Sequence, residues 1–247
     1  MPERRYKALT HFKLRKGIAV NLVDNLTKLR IRAGAERREM RVLNLYAGIG
    51  GNRKLWTDVE VTAVEMNPKI AEIYQDFFPG DKVIITDAHQ YLLDNFAEYD
   101  FIWSSPPCPT HSRFNLLNNE RNQKGYKYPD MTLYQEILLL KHWFKGKYCV
   151  ENVISYYKPL IKPTESNNHF FWVNFHFAPF KNIKRGIRRE HLEYREALLK
   201  KHGISLSKYN ITLQFKKRVL NNCVEPELGL HILNESKRDL QPELFRS

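Results

Sequence analysis

Arg41-Val42-Leu43-Asn44-Leu45-Tyr46-Ala47-Gly48-Ile49-Gly50-Gly51 is the stretch that decides the fold. Its first five residues form a short, mostly apolar run, as expected of a parallel strand buried on both faces, and the glycines that follow form a tight turn. A helix is expected to follow from about Asn52. A glycine turn after the first strand of a doubly wound sheet removes Cβ atoms that would keep a nucleotide-like ligand off the backbone. Such turns also bind dinucleotides, or simply close a strand-helix corner.

Downstream the same rhythm recurs. Strand-like runs stand at Val61-Thr62-Ala63-Val64, Val83-Ile84-Ile85, Phe101-Ile102-Trp103-Ser104 and Tyr148-Cys149-Val150, with helix-like stretches between, notably Lys69 to Phe77 and Thr132 to Phe144. Alternation of this kind predicts an α/β fold, a doubly wound and mostly parallel sheet with its site at the carboxyl ends of the strands. Upstream, Ile18, Leu22, Leu26 and Leu29 recur at helical spacing, so Gly17 to Leu29 reads as an amphipathic helix. After about residue 165 the alternation stops. Phe170 to Phe175 then opens what reads as a small basic second lobe, with a basic helix over Arg188 to Lys201, before Val219 to Leu233 returns to the main sheet. The expected organisation is a basic helical segment 1–41, a donor-binding and catalytic domain 42–165, a target-recognition lobe 166–218 and a C-terminal return 219–247.

The net charge of +13 is unevenly spread. Residues 1–41 carry 12 Lys/Arg against 4 Asp/Glu and 181–218 carry 12 against 3, whereas 42–180 carry 13 against 15. Two basic flanks around a neutral middle suggest a polyanion gripped from its sides, because phosphate neutralisation dominates non-specific nucleic-acid affinity. Solvated helical faces or an acidic protein partner are the alternatives. No apolar run approaches a membrane span, and the charged start does not resemble a secretory signal, which points to the cytoplasm. Cys108, Cys149 and Cys223 show no CxxC pairing, which argues against structural zinc and a disulfide framework, and no metal is expected.

The polar residues at the strand ends describe an adenosine pocket. Glu65 ends the second strand 21 residues after Asn44, where a carboxylate accepts both ribose hydroxyls. Asp87, at the end of the third strand, is placed to accept from an adenine amino group, and Met66 to pack on the ring. Each has an ordinary alternative, as a loop residue or, for Met66, a core residue.

The fourth strand leads into Ser104-Ser105-Pro106-Pro107-Cys108-Pro109-Thr110-His111-Ser112, whose prolines fix an extended loop. A thiolate is the nucleophile that a pyrimidine C6 requires, and a cysteine on a polar, partly exposed loop ionises more readily than one in the core. A cysteine among prolines can also be purely structural. The fifth strand supplies a partner in Val150-Glu151-Asn152-Val153. Attack at C6 builds charge in the ring unless N3 receives a proton or a strong hydrogen bond, which a partly buried Glu151 can supply, with Asn152 orienting it.

Taken together these motifs resemble the cytosine C5-methyltransferases of bacteria and phages, in the family's order across roughly 42–226. Pro106-Pro107-Cys108 and Glu151-Asn152-Val153, with Cys108 and Glu151 43 residues apart, are the most specific part. The resemblance implies a Rossmann-like fold binding S-adenosylmethionine through Tyr46, Ala47, Gly48, Ile49, Gly50, Gly51, Glu65, Met66, Asp87, Ala88 and Pro106. Asn222-Cys223-Val224-Glu225-Pro226 closes the pocket through Asn222 and Val224, with Gly17-Ile18-Ala19-Val20 a weaker rival. It implies Cys108 as the nucleophile on cytosine C6 and Glu151 at N3, acting on a base flipped out of double-stranded DNA. DNA contacts are expected from Ser112, Arg113, Lys184, Arg185, Arg188, Arg189, Lys216, Lys217 and Arg218. RNA ranks second as substrate, since relatives that methylate transfer RNA share these motifs, and a silent binding subunit ranks third. A bacterial or phage-infected cytoplasm, and a restriction-modification setting, go with the resemblance.

Three positions depart from the family pattern. Asn44 stands where an acid is usual, Met66 where an aromatic is usual, and Asn167-Asn168-His169 where two arginines approach the flipped base. His169 is expected to stand in for the second arginine. The short recognition lobe leaves room for a partner subunit.

Overall fold

The computed structural model describes residues 38–114, 116, 117, 128–179 and 205–238. The chain divides into Met1–Glu39 and Met40–Ser247, and everything below concerns the second unit. The expected helices over Gly17–Leu29 and Arg188–Lys201 lie outside the described residues.

Seven strands form one sheet: β1 (Met40–Leu45), β2 (Val59–Val64), β3 (Lys82–Ile84), β4 (Phe101–Ser104), β5 (Lys147–Val153), β6 (Thr164–Ser166) and β7 (His169–Val173), in the order β3-β2-β1-β4-β5-β7-β6. The first five are parallel, and β7 runs antiparallel to β5 and to β6. The helices among the described residues are α1 (Pro68–Phe77), α2 (Ala88–Asn95), α3 (Thr132–His142), α4 (Leu213–Asn221) and α5 (Pro226–Arg238).

The apolar strand runs explain why helices cover both faces. Period-two alternation sends Leu43 and Leu45 to one face, where they meet Leu92 of α2 and Ile137 and Leu140 of α3. Val42 and Val61 point the other way and meet Leu228, Ile232 and Leu233 of α5. Each of these side chains is almost fully buried, which contributes on the order of 1.5–3 kcal/mol apiece. Local signals set the helix starts: Asn67 caps α1, accepting from the Lys69 and Ile70 amides, with Pro68 at the first helical position, and Thr212 caps α4.

Two segments differ from the sequence reading. Residues from Asn52 form turns rather than a helix. Only a few residues separate the glycines from β2, and Asp58 takes a left-handed φ of 56°. Arg53 staples this segment, pairing with Asp81 through Nε and Nη2 at 2.8 and 2.9 Å and donating to the Trp56 carbonyl at 2.7 Å. The second difference is at Phe170-Phe171-Trp172-Val173, which is strand β7 of the main sheet rather than the opening of a separate lobe. Phe171 and Trp172 are buried there because both faces of that edge are covered. The β6–β7 turn is Asn167-Asn168, both left-handed at φ 48° and 64°, as a tight two-residue hairpin requires.

Candidate active site

The carboxyl edge of the parallel strands gathers the expected residues. Gly48 follows β1 with a φ of +56°, and no atom lies within 4 Å of where a Cβ would stand, so its surroundings are open. Gly50 and Gly51 have another reason to be glycine. A methyl group on Gly50 would lie 2.2 Å from Phe78, and one on Gly51 would lie 2.6 Å from the Val224 carbonyl oxygen. These two admit α1 and the segment after α4, which puts Cys223 and Val224, rather than Asn222, against Gly51. Ile49 is buried among Ile73, Val219 and Leu220, so only its backbone is available to a ligand. Ala47 and Ala88 are also buried, and the Ala47 amide donates to the Val64 carbonyl at 3.0 Å.

Glu65, just beyond β2, accepts from the Gly48 amide at 3.0 Å through Oε2 and from the Asn67 amide at 2.9 Å through Oε1. Each oxygen keeps a second lone pair. Asp87 caps α2, accepting from the Gln90 amide at 2.8 Å, and is exposed. Met66 and Ile85 are exposed apolar residues just past β2 and β3. Ile85 was counted as strand in the sequence reading, and its exposure beside Asp87 is the only hint of another use. An open glycine, a carboxylate with free lone pairs and two exposed apolar side chains fit a nucleoside-bearing donor. Asn44 is fully buried, donating to and accepting from Asn52 at 3.5 and 2.8 Å. A neutral amide suits that place, because a carboxylate there would be a buried charge with no cation beside it.

At the other half of the edge, β4 ends at Ser104 and the proline loop carries Cys108 to a half-buried position. Glu151 lies in β5 one residue beyond the last parallel pair, Ser104–Val150, and is 7% exposed. The two are close enough to interact electrostatically. Burial pushes the Cys108 thiol up, and the Glu151 charge pushes it further, against a weaker lowering from a backbone hydrogen bond. The expectation of a readily ionised thiol is therefore corrected, since an acidic neighbour and partial burial both favour S–H. Cys149 is fully buried and Cys223 is held at about 12 by burial, so neither is a rival nucleophile.

Asn152 does something other than orient Glu151. Its Nδ2 donates to the Pro106 carbonyl at 3.0 Å, which ties β5 to the nucleophile loop, and its Oδ1 accepts from the Val153 amide. Pairing of β7 with β5 sets Glu151 opposite Phe171 and Val153 opposite His169. His169 Nε2 lies 3.6 Å from Glu151 Oε1, while its Nδ1 donates to the Asn167 carbonyl at 3.1 Å. Asn167 in turn donates to Glu225 at 3.0 Å. The far end of the nucleophile loop is clamped: Ser112 bridges to Ser155, the Tyr156 amide donates to the His111 carbonyl at 3.1 Å, and Arg113 Nε donates to the Ser155 carbonyl at 3.0 Å.

Of the expected nucleic-acid contacts, Lys216 and Lys217 lie in the middle of α4 and Arg218 in its last turn, over the Phe215 ring. Lys184, Arg185, Arg188 and Arg189 lie outside the described residues. Among the described residues, no group of three His, Cys, Asp or Glu could hold a metal, and no helix is long and apolar enough to cross a membrane.

Residues 40–158, nearly half of the chain, match the C-5 cytosine-specific DNA methylases, and the match spans both Cys108 and Glu151. The matched segment contains β1 to β5, and β6, β7, α4 and α5 lie beyond it. Among solved structures, the Entamoeba histolytica methyltransferase EhMeth aligns over 83% of this chain and 100% of its own at 10% identity, with a TM-score of 0.53. A Spodoptera frugiperda DNMT2 mutant aligns over 80% and 99% at 13% identity, with a TM-score of 0.52. At these identities the likeness shows the fold, that of the Rossmann-like methyltransferases. No curated protein matches the chain.

Proposed function

We propose that the protein transfers a methyl group from S-adenosylmethionine to C5 of cytosine in DNA, with Cys108 as the covalent nucleophile. The observation that carries this reading is the placement of Cys108, on the loop after β4, beside Glu151 of the paired strand β5, with the Asn152–Pro106 hydrogen bond tying the two together inside the segment that matches the C-5 cytosine-specific methylases. S-adenosylmethionine would be held by Gly48, Glu65, Met66 and Asp87 and would supply the methyl group. The Cys108 thiol gives up its proton to water as its sulfur adds to C6, while Glu151, protonated when the base is bound, donates to N3, accepts from the exocyclic amine and so offsets the charge that develops in the ring. Loss of the C5 proton and breakage of the C6–S bond then restore the ring. Because C6 is unreachable in a stacked duplex, the base must leave the helix first. Asn152 keeps the nucleophile loop in reach of Glu151 by holding Pro106. His169 stands beside Glu151 where the family pattern has an arginine.

The test is incubation with labelled S-adenosylmethionine and either duplex DNA or folded RNA. Label at cytosine C5 of DNA is expected. Label in RNA alone would move the substrate to RNA, and neither label nor trapping on 5-fluorocytosine DNA would leave a silent binding protein.

A further inference from the structure

Glu136 lies on α3 with no exposure, yet its carboxylate receives hydrogen bonds from three other segments. Tyr46 Oη donates to Oε1 at 2.6 Å, His89 Nδ1 to the same oxygen at 3.1 Å, and Ser104 Oγ to Oε2 at 2.6 Å. Tyr46 opens the glycine turn and holds a left-handed φ of 53°, a conformation that a non-glycine residue keeps only when its surroundings fix it. His89 follows Asp87 and Ala88 at the start of α2. Ser104 is the last residue of β4, from which the Cys108 loop departs. One side chain therefore touches the donor turn, the helix beside it and the nucleophile strand.

A wholly buried carboxylate is costly unless it is paired and fully hydrogen-bonded, and an apolar residue could fill this place on α3 without that cost. We propose that Glu136 is a positioning residue that locks the donor turn and the nucleophile strand into a single arrangement, with His89 as its counter-charge. The proposal rests on the methyltransferase reading above.

The charges around His89 give this a pH signature. Glu136 faces it from α3, Asp130 from the segment before α3, and Asp87 from its own helix cap. Tyr46 also contacts Glu136, and burial together with that carboxylate holds its phenol far above the ordinary range, so it stays neutral. His111, which faces Asp130, is lowered by burial. The hydrogen bond to Glu136 raises His89 despite the opposing effect of burial. The His89–Glu136 attraction is therefore fully present below the ordinary histidine value of about 6.5 and is lost as pH rises through the raised one. Donor affinity should fall over the same window.

The experiment is calorimetric titration of the full chain with S-adenosylhomocysteine between about pH 5.5 and about pH 9, after a melt to establish folding. Glu136→Gln should weaken binding about tenfold, and Ser104→Ala about threefold although Ser104 belongs to the nucleophile strand. His89→Gln should abolish the pH dependence. Wild-type affinity in both Glu136→Gln and Ser104→Ala, or an unchanged pH slope in His89→Gln, overturns the proposal alone. Where Glu136→Gln does not fold, Tyr46→Phe, which removes only the hydroxyl, takes its place and should weaken binding about threefold. A wild-type protein that binds no S-adenosylhomocysteine overturns the methyltransferase reading, and the proposal with it.

Discussion

Two buried carboxylates lie near the end of β4, Glu136 on α3 and Glu151 in the neighbouring strand β5, and are treated in opposite ways. Glu136 is completely enclosed and satisfied by Tyr46, His89 and Ser104 at 2.6 to 3.1 Å. Glu151 keeps 7% exposure, and among the described residues only the His169 ring comes within ion-pair reach, at 3.6 Å. A carboxylate that accepts three hydrogen bonds holds structure, whereas one left under-bonded at a strand edge has capacity for a ligand. The position of each charge predicts less than the number of donors around it.

If the contrast is functional, the largest effects fall on turnover. Cys108→Ser should abolish methyl transfer, and Glu151→Gln should lower it by roughly 10²–10⁴-fold, with the urea midpoint of both within error of wild type. Ordinary turnover in either variant would break the assignment. Glu136→Ala should act the other way round, losing about 3 kcal/mol in urea unfolding because buried donors on Tyr46, Ser104 and His89 lose their acceptor. A loss below about 0.5 kcal/mol would erase the distinction between the two carboxylates.

Smaller effects sharpen the picture around Glu151. Asn168→Ala forces a Cβ-bearing residue without a polar side chain into the left-handed position of the β6–β7 turn, and should cost about 1 kcal/mol by thermal melting, whereas Asn168→Gly, which adopts that φ freely, should cost less than Asn168→Ala. The smallest change concerns the thiol. Iodoacetamide alkylation of Cys108, followed by mass spectrometry, should be slow at neutral pH and rise with pH, because burial and Glu151 both favour the protonated form. Removing that charge in Glu151→Gln lowers the thiol pKa, so alkylation at neutral pH should quicken about threefold. A slower reaction would show that Glu151 does not face Cys108.

Much of the site was legible because its residues sit at predictable places relative to the strands. Glu65 and Asp87 each follow an apolar run, Cys108 follows another, and Glu151 falls within the fifth, so local patterning is enough to find them. Glu136 escaped notice because it sits mid-helix in Leu133-Tyr134-Gln135-Glu136-Ile137, where a charged residue ordinarily faces solvent. Its burial depends on Tyr46, His89 and Ser104, which are 90, 47 and 32 residues away. The same limitation applies to Gly50 and Gly51, whose purpose is the approach of α1 and of Val224 rather than of a ligand. It applies also to the missing helix after Gly51, where glycine turns are commonly followed by one but the Arg53–Asp81 pair and the short path to β2 impose turns.

By itself the sequence determined the mostly parallel sheet and the strand ends at which Cys108 and Glu151 stand, because apolar periodicity and turn chemistry are local properties of the chain, whereas the strand order came only with the fold. The tertiary structure alone decided that β7 returns antiparallel to place His169 beside Glu151, that Asn152 serves the nucleophile loop rather than Glu151, and that the thiol is held protonated. Those outcomes depend on distances between residues far apart in the chain and on how much water remains around a charge, and neither is encoded in any short stretch.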